Sequence, residues 1–260
     1  MIHPTLHRQA VALDRRLHRD LKVHQPQPDW SFAAGVNALF VAGAEFGDAC
    51  REYPILFVRT GPDEQGRPQV LPIAAFGLAP GENLYLDGAQ WRALYLPALL
   101  RAYPFGIGRA GDDGRSVLSV DLAWAGLSRT EGTPLFGADG EPGEHLKALQ
   151  RQLEQFDGEV RRTRELCRRL LDQGLLRDVR FDAEVADGPK VHVDGFLTVD
   201  EAKLAALGDA ELLALARNGA LGLIHAHLIS MGNLRKLVQW RVERGPGGAA
   251  APRPAAATPA

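Results

Sequence analysis

The stretch YPILFVRTGPDEQGRPQVLPIAAFGL, residues 53–78, decides the fold class. Tyr53 to Val58 is short, apolar and rich in residues that suit extended backbone. Val70 to Leu78 is a second run of the same kind. Between them Gly61 to Arg67 carries Gly, Pro and Asp, the residues of a turn. Two such runs joined by a short polar connection read as a β-hairpin. Hairpins build antiparallel sheets, whereas parallel strands need long crossovers, and no alternation with crossover helices is visible here.

Outward from the hairpin, residues 83–87 alternate in polarity. Residues 105–107 and 116–122 read as two further strands around the turn 111–114. Residues 179–185 and 190–196 read as another hairpin, turning at 186–188. Leu6, Leu13 and Leu17 predict a short helix that leads into a strand near 21–23. A helix is expected over 91–102, with Pro97 best placed in its first turn. The clearest helix spans 144–173. Its apolar stripe is Leu146, Leu149, Leu153, Phe156, Val160, Cys167, Leu170 and Leu171, at gaps of three and four. Gly174 is its expected C-cap. Short helices are expected at 200–207, capped by Asp200, and at 209–216. A last long helix covers 220–242. The fold class is therefore α+β, a mainly antiparallel sheet with several helices, two of them long. One domain is expected over residues 1–244. Residues 245–260 are Gly, Ala, Pro, one Arg and one Thr, a composition that predicts a disordered tail.

The chain has 260 residues, 45% hydrophobic and 24% charged, which is ordinary for a folded domain. Its net charge of −2 argues against nucleic acid as the partner. Residues 154–169 interleave Arg with Asp and Glu, the pattern of a solvated helix face laced with local ion pairs. Cys50 and Cys167 sit among apolar neighbours and read as small buried hydrophobes rather than a disulfide framework. Residues 1–20 lack the apolar core of a signal peptide, and no apolar run approaches the length of a membrane span. The expected location is the cytoplasm.

Several phrases occur together in a fixed order. They are Glu45-Phe46 with Tyr53-Pro54-Ile55, then Gly77-Leu-Ala-Pro-Gly-Glu-Asn83-Leu. Tyr95-Leu-Pro-Ala follows, with Arg101-Ala-Tyr103-Pro104-Phe105, and then Leu135-Phe136-Gly-Ala-Asp-Gly140-Glu-Pro142. The chain closes with Gly195-Phe, Val199-Asp-Glu-Ala-Lys203-Leu and His227-Leu-Ile-Ser230-Met-Gly-Asn233-Leu. In this order and spacing the chain resembles the bacterial SapC family, over roughly residues 15–242. The family name implies an association with surface-layer proteins, and the resemblance carries no catalytic motif across.

Three constellations could carry chemistry. His192-Val-Asp194 places an H-x-D pair on one face of a strand, and His225 or His227 could add a third ligand. That set would hold iron as in 2-oxoglutarate oxygenases, with Arg235 as the co-substrate arginine. His227, Ser230 and Asn233, three apart, share one face of the last helix and could bind a small polar ligand or satisfy backbone groups in the core. Arg101, Tyr103 and Phe105 could bind a carboxylate or peptide, or Arg101 could pair internally with Glu45. Tyr53 and Asn83 join these as candidate ligand contacts. Glycine-rich phosphate loops and nucleophile elbows are missing from the sequence. The preferred expectation is a non-catalytic accessory protein without a cofactor. It would bind a peptide, a protein partner or a small polar ligand between the sheet and the helices 144–173 and 220–242. An iron oxygenase and a surface-layer component are the alternatives.

Overall fold

The structure, a computed structural model, describes residues 1–25, 27–63, 65–110, 115–183 and 191–245. Its strands are β1 (Ala10–Ala12), β2 (Lys22–Val23), β3 (Ala38–Phe40), β4 (Ile55–Thr60), β5 (Gln69–Ala75), β6 (Leu86–Asp87) and β7 (Gln90–Trp91). They continue with β8 (Phe105–Ala110), β9 (Arg115–Asp121), β10 (Leu127–Ser128), β11 (Thr133–Pro134), β12 (Leu176–Ala183) and β13 (Val191–Val199). The helices are α1 (Phe46–Glu52), α2 (Ala98–Ala102), α3 (Glu144–Asp172), α4 (Glu201–Ala205), α5 (Asp209–Arg217), α6 (Ala220–Ser230) and α7 (Leu234–Arg244).

The hairpin of residues 53–78 is the centre of the main sheet. β4 and β5 pair antiparallel from Ile55↔Ala74 to Thr60↔Gln69. The five-stranded order is β12-β13-β4-β5-β3, antiparallel throughout. A second antiparallel sheet has the order β1-β9-β8. The fold is α+β, as the alternation and turn signals predict. The turns at 111–114 and 186–188 lie outside the described residues, as does the segment 246–260.

Strand alternation sends Phe57, Val70 and Leu197 to one face of the main sheet, where they pack with Leu166 and Leu170 of α3 and Ile224 of α6. α3 ties the interior together. Leu146 and Leu153 enter the cluster under the smaller sheet, Val160 enters the central cluster, and Cys167 enters the one on the main sheet. These four positions are seven apart, two helical turns each, so they stay on one side of the rod. Apolar side chains of α3 and α6 thus fill the face of the main sheet that they cover. α3 ends at Gly174 (φ 62°), with Leu175 N–H bonded to the Leu170 carbonyl and Gly174 N–H to that of Leu171. This is the glycine-terminated cap that Gly174 predicts. Both cysteines are buried, and burial pushes the Cys167 thiol up to about 12. The ion pairs along α3, such as Arg161–Asp157 and Arg168–Glu165, are exposed and local.

Three expected elements differ. Residues 15–20 are turns, not helix. The Asp14 carboxylate accepts the N–H groups of Arg16 and Leu17, and His18 Nδ1 accepts that of Asp14. Such local bonds compete with a helix, and Leu17 is left 73% exposed. The helix expected over 91–102 starts only at Ala98, because Pro97 stands at its cap and 90–91 pair as strand. The last helix tightens to a 3-10 turn at Met231–Asn233, between α6 and α7. Among the described residues no single helix is long and apolar enough to cross a membrane.

Candidate functional site

His227, Ser230 and Asn233 do share one face of α6 and the turn after it, and that face docks the helix onto β4 and α1. β13 and β4 pair only at Phe196↔Val58 and Leu197↔Phe57. Continuing that register would place Val199 opposite Ile55, but the ladder has stopped. His227 fills the gap. Its Nε2 accepts the Val199 N–H at 3.2 Å, and its Nδ1 lies 2.7 Å from the Ile55 carbonyl. An amide N–H can only donate, so Nε2 is the acceptor and Nδ1 carries the proton. The Thr198 hydroxyl lies 2.9 Å from Nε2. Ser230 Oγ accepts the Ile55 N–H at 2.9 Å and donates to the His227 carbonyl at 2.5 Å. Asn233 Nδ2 donates to the carbonyls of Cys50 and Tyr53 at the end of α1. These carbonyls are the acceptors a helix end leaves over.

Burial lowers the pKa of the fully buried His227 imidazole to about 4, against the Ile55 carbonyl, which favours the protonated ring. An unfolded chain would take that proton near an ordinary histidine value of about 6.5. The unfolded state therefore binds the extra proton between the two values. Stability should be full above about pH 6.5 and fall by about 3 kcal/mol as pH drops towards 4. Urea denaturation at about pH 7 and about pH 4.5 measures this. A wild-type stability that is flat across that window, or a fall that persists unchanged without His227, would refute the assignment.

His225 on the same helix is exposed, as is Asp194 on β13. The side chain of His192 lies outside the described residues. Both nitrogens of His227 are already bonded, and no group of three metal-ligating side chains occurs among the described residues.

Glu45 is buried, but Arg101 is not its partner. One carboxylate oxygen accepts the Ala42 N–H at 2.8 Å. The other accepts the Tyr95 hydroxyl at 2.9 Å and the Ala98 N–H at 2.7 Å. Ala98 opens α2, so the carboxylate satisfies a first-turn N–H at the positive end of that helix. Arg101 instead lies 5.7 Å over the Tyr95 ring. Tyr53 is fully buried and donates from its hydroxyl to the Tyr95 carbonyl. Asn83 bonds the Ala33 carbonyl and the Tyr85 N–H.

A large opening, about 1270 Å³, lies elsewhere. Its walls come from residues 24–25, 27–35, 81–92 and 123–126 and from the end of α7. Phe32, Tyr103, Trp124 and Trp240 line it, with Arg8, Arg92 and Arg244. Tyr103 stacks on Phe32 at 4.1 Å, and its hydroxyl donates to Asp121 at 2.9 Å. Ring contacts continue behind the wall from Phe32 to Trp30, Trp91, Tyr85 and Trp240. All four tryptophans of the chain take part, counting Trp124 against Tyr103. Arg92 and Lys236 each sit 5.2 Å from the Trp240 ring centre. Arg244 is fixed by the carbonyls of Asn83 and Leu86. Of the residues singled out from sequence, Asn83 and Tyr103 belong to this cleft. Trp240, Phe32 and Arg92 were missed, and the only signal for them was the tryptophan count itself.

The fold and its surface define an α+β protein built on an antiparallel sheet, with the buried side chains of Glu45, Asn83, Asp121, His227 and Ser230 bonded to its own backbone and an aromatic cleft open to solvent. A family model described as SapC matches residues 13–237. The chain belongs to the SapC family. No curated protein and no solved structure matches it significantly.

Proposed function

We propose that the protein is a non-catalytic binding protein that holds an extended peptide of a partner in the aromatic cleft. The observation that supports this reading is the continuous run of rings, from Trp240 to Trp124, that forms and backs the cleft wall. Aromatic and arginine side chains supply most of the energy where peptides and proteins are bound. The opening of about 1270 Å³ exceeds what a small polar ligand fills, which favours the peptide. The non-catalytic part rests on His227, Ser230, Asn233 and Glu45, whose polar atoms are engaged in holding elements together.

Selection of a displayed peptide library on the full chain tests the reading. Peptides that bind should quench or shift tryptophan fluorescence. Trp240→Leu or Arg92→Glu should weaken them by about tenfold or more, the effect of one lost anchor. A library that yields no binder, or binders indifferent to both substitutions, would dispose of it.

A further inference from the structure

A separate opening of about 590 Å³ lies between residues 16–22 and the loops after β10 and β11. Four cations reach it, Arg16, Arg19, Lys22 and Arg129, and Asp20 is the one carboxylate among its described lining. Three of the cations are held in place. Arg19 Nη2 donates to the Ala138 carbonyl, and Lys22 Nζ donates to that of Thr130 at 2.7 Å. Arg129 donates to Asp20 at 2.5 Å. A carbonyl orients a cation without cancelling its charge, whereas Arg129 is neutralised by Asp20 and Arg16 lies in the field of the Asp14 carboxylate. Among the described residues Arg19 and Lys22 keep their charge without a carboxylate partner, in a chain whose total is −2. Like charges gathered this way repel unless an anion joins them. Leu17, 73% exposed, and Phe136 give the opening an apolar margin.

We propose that this opening binds a phosphate group carried on a partly apolar molecule. Guanidinium forks match the tetrahedral oxygens, and a phosphomonoester near neutral pH supplies close to two negative charges. The phosphate belongs either to a soluble metabolite-sized ester or to a lipid headgroup, and the two arms of the test separate them. In the first arm the full chain is titrated calorimetrically with inorganic phosphate and with glycerol phosphate. In the second it is sedimented with phosphatidylcholine vesicles, with and without phosphatidic acid. Binding is expected in one arm, weakened about tenfold by Arg19→Ala and also by Arg16→Ala, and weakened again by added salt. Arg16 does not hold the Ala138 loop, so its variant separates lost binding from lost folding. No binding in either arm at about 10 mM phosphate and low salt, or binding that neither variant alters, would overturn the proposal.

Discussion

Replacing His227 by Ala is expected to lower the unfolding free energy by about 4 kcal/mol, a fall of roughly 10 °C in melting temperature for a chain of this size. The imidazole stands where two strands have parted. It supplies an acceptor to the Val199 N–H and a donor to the Ile55 carbonyl, which would otherwise meet across the ladder. Its ring also packs 4.9 Å from that of Phe57. The alanine variant leaves two buried backbone groups unpaired and a cavity between α6 and the sheet. Each unpaired group costs about 1–3 kcal/mol, and the lost packing adds to that. Ser230→Ala removes the acceptor of the Ile55 N–H alone and should cost about 1–2 kcal/mol. Chemical denaturation at neutral pH gives both values. A loss below about 1 kcal/mol for His227→Ala would mean that the strands close on each other without the ring.

What the sequence made legible follows from how far apart the partners lie. The hairpin of residues 53–78 and the helix α3 are local patterns, and both form where their periodicity places them. The shared face of His227, Ser230 and Asn233 was visible for the same reason, as a three-residue spacing on a helix. Its targets were not. Ile55 and Val199 are far away in the chain, and nothing local announces that a ladder will stop between them. The pairing expected between Arg101 and Glu45 failed on a similar point. The carboxylate meets the N–H of Ala98 and the Tyr95 hydroxyl, which sequence spacing does not reveal. The aromatic cleft was the least legible feature. Trp30, Trp91, Trp124 and Trp240 stand on loops, a short strand and the last helix, and only the folded chain brings their rings into one array.

Asp121 passed unnoticed in the sequence, and its replacement by Ala is expected to cost about 3 kcal/mol and to release the N-terminal strand. The residue ends β9 and is fully buried. One carboxylate oxygen accepts the N–H groups of Gln9 and Ala123, at 2.7 and 3.1 Å. The other accepts the Arg8 N–H at 3.1 Å and the Tyr103 hydroxyl at 2.9 Å. Burial alone would raise the carboxyl pKa. The bonds from Gln9, Tyr103, Ala123 and Arg8 outweigh it and hold the group below its ordinary range, so it stays charged. Loss of the carboxylate strands four donors at once. Two of them lead directly into β1, whose pairing runs only from Ala10↔Asp121 to Ala12↔Ser119. Amide exchange at Gln9 and Val11 should therefore accelerate more than exchange in the main sheet. Asp121→Asn keeps one acceptor oxygen and should fall between wild type and the alanine variant. Tyr103 stacks on Phe32 in the cleft wall, so peptide binding should weaken in the same order. Unchanged exchange at Gln9 in the alanine variant would show that the strand is held by its ladder alone. The aromatic wall would then owe its position to ring packing rather than to the carboxylate beneath it.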